Sequence, residues 1–229
     1  MHLHKSPFPA YWLGTELEGA GLESVRPNVV GTYGRYEYDR LPPLPFEQLH
    51  GNFDWLSSAP PRRSNIGLEK AIENAQALVA LRQRSMALGL RLPAEFVKFM
   101  ESPSLQERIR SNTDCFLDLC ASPVRSPVGG GYLIRFLSDS QGCIFWYLYL
   151  TEGGQDHAVV ASPGFYGIDD EQWLDGERDP TDIVFSAESF EIFLCRFWLE
   201  NEIWFASWKN TPMPEAGRVY IEQYRQNRD

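Results

Sequence analysis

Residues 131–150 read GYLIRFLSDSQGCIFWYLYL, and this stretch decides the fold. Gly131 to Ser138 and Cys143 to Leu150 are two apolar runs joined by Asp139-Ser-Gln-Gly142, a four-residue connection ending in glycine. Two strand-length runs on either side of such a turn predict a β-hairpin. Side chains alternate between the faces of a strand. The second run therefore sets Ile144, Trp146, Leu148 and Leu150 on one side and Cys143, Phe145, Tyr147 and Tyr149 on the other. Both sets are apolar or aromatic, which predicts a central strand with something packed on each face. Tyr147 and Tyr149 admit two readings: an exposed aromatic surface that binds a partner, since Tyr is enriched at interface hot spots, or a face covered by the N-terminal segment.

Further strands are expected around the hairpin, at Cys115–Cys120, His157–Ala161 and Asp182–Phe185. Helical spacing begins with Leu68, Ala71, Ile72, Ala75, Leu78, Val79 and Leu81 and stops near Gly89. Pro93–Met100 suits a second short helix, and Ser104-Leu-Gln-Glu107 has the spacing of a capping box that would open a third. Ser186 or Ser189 would cap a long helix reaching about Trp208, and Pro214–Gln226 closes the chain as a last helix. On the long helix Phe190, Phe193, Leu194, Phe197, Trp204, Phe205 and Trp208 form one broad aromatic face with Asn201 in its middle. Ile192, Cys195, Leu199 and Ile203 form a stripe on the other side, so the helix is expected to lie between the sheet and another layer. Asn201 then reads best as a hydrogen-bonded core amide. The fold class expected is α+β: a mixed, largely antiparallel sheet with helices packed against it and a long aromatic helix near the C-terminus.

Residues 1–63 differ in texture. They are rich in Pro, Gly and aromatics, including Phe8, Trp12, Tyr33, Tyr36, Phe53 and Trp55, and Val29–Tyr38 is their only strand-like piece. Rings of this number are costly to leave in water, so 1–63 are expected to form an arm packed on a main domain of 64–229. The RLPPLP string at 40–45 reads as a spacer in that arm.

The formal net charge of −10 argues against direct binding to nucleic acid or an anionic membrane. Between Asp169 and Asp182 lie seven acids against the single Arg178, a net −6. Three readings fit that stretch: a solvated loop, a calcium loop, or a docking patch for a basic protein such as a toxin. In the third, Asp169, Asp170, Glu171, Asp175 and Glu177 steer the encounter and Trp173 anchors it. No apolar run approaches the length of a membrane span, and no apolar stretch precedes Pro7 and Pro9, so a cytoplasmic protein is expected. Cys115, Cys120, Cys143 and Cys195 show no CxxC spacing and read as buried thiols in a reducing compartment.

The chain holds no GxSxG, no GxxxxGK[ST], no HExxH and no GxGxxG, and its four histidines are scattered. Gly129-Gly130-Gly131 precedes a strand with no Lys after it, the wrong order for a phosphate loop. The expectation is a domain that is not an enzyme, holds no metal or cofactor, and acts by binding another protein.

Some of these segments resemble a known family. Ala87-Leu-Gly-Leu-Arg-Leu-Pro93 with Ala-Glu-Phe-Val-Lys-Phe-Met100, the strands Tyr132–Tyr149, and Ser189-Phe-Glu-Ile-Phe-Leu-Cys-Arg-Phe-Trp198 resemble elements of the SUKH superfamily, over about Ile72 to Phe205. The resemblance implies an α+β fold and, among bacterial members, immunity proteins that neutralise a toxin by direct binding. It implies no shared catalytic residues. A housekeeping regulatory or scaffold domain without a toxin partner is the alternative.

Overall fold

The Asp139 N–H donates to the Ile144 carbonyl at 3.0 Å and closes the turn between the two central strands. The computed structural model describes residues 6–15, 17, 26–30, 33–47, 49–167 and 180–226. In chain order the strands are β1 (Tyr11–Thr15), β2 (Arg26–Val30), β3 (Tyr33–Glu37), β4 (Phe116–Leu117), β5 (Val124–Arg125), β6 (Tyr132–Ser138), β7 (Phe145–Leu150), β8 (His157–Ser162) and β9 (Val184–Ala187). The helices are α1 (Ala71–Ala87), α2 (Ala94–Met100), α3 (Pro103–Gln106), α4 (Phe190–Lys209) and α5 (Glu215–Gln226).

The main sheet runs β4-β6-β7-β8-β9, with β5 also paired to β6, and every ladder in it is antiparallel. The hairpin register sets Ile134 against Leu148 and Leu133 against Tyr149, with an irregularity between Arg135 and Leu137. β7 is interior and is covered on both faces. Ile134, Phe136, Trp146, Leu148 and Leu150 join the large core under α4. Leu133, Tyr147, Tyr149, Ala158 and Val160 form a smaller core on the opposite face with Phe8, Tyr166, Ile183 and Phe185. This is the α+β architecture that the alternation in 131–150 implies.

α4 begins where Ser189 accepts the Ile192 N–H, the expected N-cap, whereas Ser186 lies in β9. Its rings stack into the sheet: Phe190 meets Phe136 at 5.1 Å between centroids, Phe193 meets Phe136 at 5.5 Å, and Phe197 meets Trp146 at 6.0 Å. Such edge-to-face pairs place ring edges on ring faces and add to the gain from burial. The aromatic face runs off the core at its C-terminal end, where Trp208 stacks on Trp204 and is 69% exposed.

The N-terminal segment is richer in strand than its sequence suggests. β1 and β3 pair antiparallel, β2 pairs β3, and only the last part of this sheet falls within the expected Val29–Tyr38. Ala10 bridges Phe185 in parallel and the Phe185 N–H donates to Pro9 O at 2.8 Å, so the chain entering β1 lines the outer edge of β9. An edge paired in this way is closed to other strands. Trp12, Leu13, Tyr33, Tyr36, Phe53 and Trp55 are buried in the same core as α4.

Two local expectations are corrected. The third helix spans Pro103–Gln106 after Ser102, with no side-chain cap, so the capping box read at Ser104 and Glu107 does not form: Ser104 lies inside the helix and its hydroxyl meets Ser102 Oγ. Of the expected strand Cys115–Cys120 only Phe116–Leu117 pairs as a strand. All four cysteines are unpaired; Cys115, Cys120 and Cys195 are buried as expected, whereas Cys143, just ahead of β7, is only half-buried. Among the described residues no helix is long and apolar enough to cross a membrane.

Candidate protein-binding surface

The acidic stretch, including Asp169, Asp170, Glu171, Trp173, Asp175 and Glu177, lies outside the described residues. Tyr147 and Tyr149 do not form a docking face, because both are buried, at 0% and 1% exposed. The Tyr147 hydroxyl donates to Gly164 O at 2.8 Å and accepts the Tyr166 N–H at 3.0 Å. The Tyr149 hydroxyl donates to Gly129 O at 2.8 Å, and Phe8 packs edge-on against its ring at 4.9 Å. The phenols are spent on backbone carbonyls and the rings on a second core, so nothing of them is left for a partner.

α4 carries side chains whose role the sequence reading missed: Glu191, Arg196, Glu200 and Glu202, all buried in an aromatic helix. The signal was present, because charges spaced through a helix that is apolar all round must be paired inside the protein. Each clamps a distant segment. Glu191 accepts the N–H groups of Gly51 and Phe53 and the Trp55 indole. Arg196 donates to Pro42 O and to the Tyr220 hydroxyl, which donates in turn to Glu200 at 2.8 Å. Glu202 holds Arg62 and Arg110, and Asn201 accepts the Asn112 N–H at 2.7 Å, which makes it the bonded core amide expected. Burial pushes the Glu200 carboxyl up against the opposing pull of Arg196 and its hydrogen bonds. Burial pulls the Arg196 guanidinium down, but Tyr220 and Glu200 beside it outweigh that and keep it charged. These buried groups hold parts of residues 42–62, the 110–112 segment and α5 to the helix.

A second polar cluster gathers around Tyr33, whose hydroxyl donates to Asp139 at 2.8 Å and lies 2.8 Å from Thr113 Oγ1 and 3.3 Å from Cys115 Sγ. Burial pushes the Cys115 thiol up to about 11, beyond what its hydroxyl neighbours recover, and pushes the Tyr33 phenol higher still. A thiol so placed stays protonated at neutral pH, and the thiolate is the nucleophile. The cluster therefore fastens β3 to the turn after β6.

The exposed surface is unusual in one place. Among the described residues the exposed large hydrophobics are Leu68, Ile72, Val79, Met86, Leu88 and Trp208, and all but Trp208 lie on or beside α1. α1 turns Asn74, Leu78, Leu81 and Ser85 inward, at spacings of four and three. Asn74 sits on the buried side because it completes the backbone of 117–119, donating to Leu117 O and accepting the Leu119 N–H, both at 2.8 Å. The apolar residues left over point outward. Ile72, Val79 and Met86, spaced by seven, form a line along the exposed face, with exposures of 73%, 58% and 76%.

Met86, at the C-terminal end of that line, also lines a groove of about 650 Å³ between α1 and α2. Met86, Leu90, Leu92 and Val97 supply its apolar wall, and Arg82, Arg91 and Lys98 stand along its rim. Arg82 pairs with Glu101 at 2.6 Å and Lys98 donates to Asn52 O at 2.9 Å, whereas the Arg91 side chain makes no ion pair or hydrogen bond among the described residues. An open, half-apolar trough with charged edges has the form of a surface that takes up a segment of another protein. No family model, curated protein or solved structure matches the chain.

Proposed function

We propose that this chain is a protein-binding domain without catalysis of its own, of the immunity type that the SUKH resemblance implies, neutralising a toxin by direct contact. The observation that supports this reading is the line of Ile72, Val79 and Met86 on the exposed face of α1, whose last member also lines the α1–α2 groove. Apolar surface is seldom left open unless it is used, and among the described residues the exposed large apolar side chains other than Trp208 are concentrated on or beside one helix. The acids between Asp169 and Asp182 add long-range attraction for basic parts of a partner and raise the encounter rate.

The test is neutralisation. The chain is co-expressed with toxin-like proteins encoded beside its gene, and growth of the host is scored for the wild type and for the triple variant Ile72→Ser, Val79→Ser, Met86→Ser. Rescue by the wild type and its loss in a triple variant that melts at the same temperature is the expected result. Failure to rescue or to co-purify with any neighbouring product would sink the immunity reading and leave a regulatory or scaffold role.

A further inference from the structure

We infer that a pocket at the N-terminal end of α1 receives an arginine side chain of the partner, with the guanidinium held by the Glu69 and Asp114 carboxylates. The inference rests on the protein-binding reading above and names the chemistry recognised beside that surface.

Three observations carry it. The first is place. A pocket of about 430 Å³ opens where the chain entering α1 passes the turn ahead of β4. Leu68 lines it and is 68% exposed, and it stands just ahead of Ile72, the first of the outward apolar residues of α1. The second is charge. Among the described residues Glu69 and Asp114 are the only charged side chains that line the pocket. Both are exposed, and neither makes a hydrogen bond or ion pair among those residues. The neighbouring cations are committed elsewhere. Lys70, over the Phe116 ring at 5.0 Å, pairs with Asp118 at 2.8 Å, and Arg62 and Arg110 both pair with Glu202. Arg63 is exposed too but does not line the pocket. Carboxylates that share one opening with no cation among them repel each other, and an incoming cation relieves that repulsion. The third is preorganisation. Asp114 lies between Thr113 and Cys115, whose Oγ1 and Sγ meet the Tyr33 hydroxyl at 2.8 and 3.3 Å, and its backbone is held at φ 52°. A carboxylate fixed before binding lowers the ordering cost of association. Arginine fits this frame better than lysine. Its planar guanidinium offers donors to both carboxylates at once, while Leu68 and Phe116 give the stem an apolar wall.

The experiment is selection from a random peptide library displayed on phage, panned on the wild-type protein after depletion on the variant Glu69→Gln, Asp114→Asn. Both side chains are exposed, Asn tolerates the left-handed backbone at 114, and a thermal melt matching the wild type confirms that the variant folds. Survivors are expected to share an Arg with apolar residues beside it. Synthetic survivors, labelled and titrated by fluorescence anisotropy, are expected to lose affinity as salt rises. Replacing the shared Arg with citrulline, which keeps the shape and lacks the charge, is expected to weaken binding at least about tenfold. Replacing it with Lys is expected to weaken binding as well, because one ammonium does not span both carboxylates. An absence of survivors, survivors without a shared Arg, or survivors that bind as tightly with citrulline or Lys in its place overturn the arginine proposal. The protein-binding reading is judged separately, by neutralisation through Ile72, Val79 and Met86, and does not fall with this pocket.

Discussion

The indole N–H of Trp12 donates to the Glu200 carboxylate at 2.6 Å, across 188 residues of sequence, and so ties the first strand to the long helix. Glycine is needed beside this bond: a Cβ at Gly14 would lie 2.5 Å from Trp12 Nε1 and 2.6 Å from Glu200 Oε2. Glu200 also accepts the Tyr220 hydroxyl, so one carboxylate joins β1, α4 and α5.

Breaking this junction should destabilise the whole fold. Trp12→Phe keeps most of the ring and removes one donor, for an expected loss of about 1–3 kcal/mol. Glu200→Ala leaves Arg196 buried without its carboxylate, for an expected loss of about 3–5 kcal/mol. Gly14→Ala should fall with them, because its methyl group forces the two partners apart. Urea midpoints measure all three. A Glu200→Ala protein that unfolds at the wild-type midpoint would show that the arm is held by other contacts.

The two faces of α1 should respond in opposite ways. Leu78 and Leu81 are buried, and replacing either with Ala is expected to cost about 2–5 kcal/mol. Ile72 and Val79 are exposed, and Ser there is expected to change stability by no more than about 0.5 kcal/mol while reducing the binding of a hydrophobic dye. Thermal melts and dye fluorescence on the four variants separate the faces. Equal losses for Ile72→Ser and Leu81→Ala would mean that the outward face is packed.

Phe8 fastens the chain ahead of β1 over the second core. It is 4% exposed and meets Tyr149 edge-on. Phe8→Ala is expected to cost about 3–5 kcal/mol, the range for a buried ring. It should also loosen Pro9 from Phe185 and open the outer edge of β9 to pairing with other chains. Faster cleavage before β1 in limited proteolysis, together with light scattering that grows on warming, is the expected signature. Unchanged cleavage would count against it.

The hairpin was legible because alternation, run length and turn residues all lie within 131–150. The long helix was legible for the same reason, its aromatic spacing being local. What escaped was fixed by distant partners. β1 is five residues, YWLGT, whose strand character comes from pairing with β3 some twenty positions later and from lying beside β9. The periodicity of α1 revealed apolar positions without saying which would turn inward, and Asn74 decided that by bonding the backbone of 117–119, which no local pattern announces. The buried charges of α4 were readable as residues that needed partners, but the partners themselves, Trp12, Pro42, Gly51 and Arg62, are set only by the fold.

Glu95 sets an acid limit on stability. Burial alone would raise its carboxyl, but His157 at 3.5 Å and the N–H groups of Glu191 and Phe190 outweigh burial and hold it below its ordinary 4.5. Asp118 behaves alike: burial raises it, while Arg135, Lys70 and Ser138 bring it below 3.8. A carboxyl lowered by folding contributes stability that is fully present above its unfolded value and is lost as the pH falls through the folded one. Stability from these two groups should therefore hold down to about pH 4.5 and decline below it. Glu200 acts with the opposite sign. Its carboxyl is raised by burial, so its contribution is greatest at low pH and diminishes as the pH rises through its folded value. Glu95→Gln separates these effects, because the amide oxygen can still accept the Phe190 N–H but cannot titrate. The variant should be less stable than the wild type at pH 7, and the gap should narrow as the pH falls below about 4.5 and the wild-type carboxylate is protonated. Urea midpoints at half-unit pH steps read this directly. A gap that stays constant below that pH would mean that Glu95 acts by packing and that its charge contributes nothing.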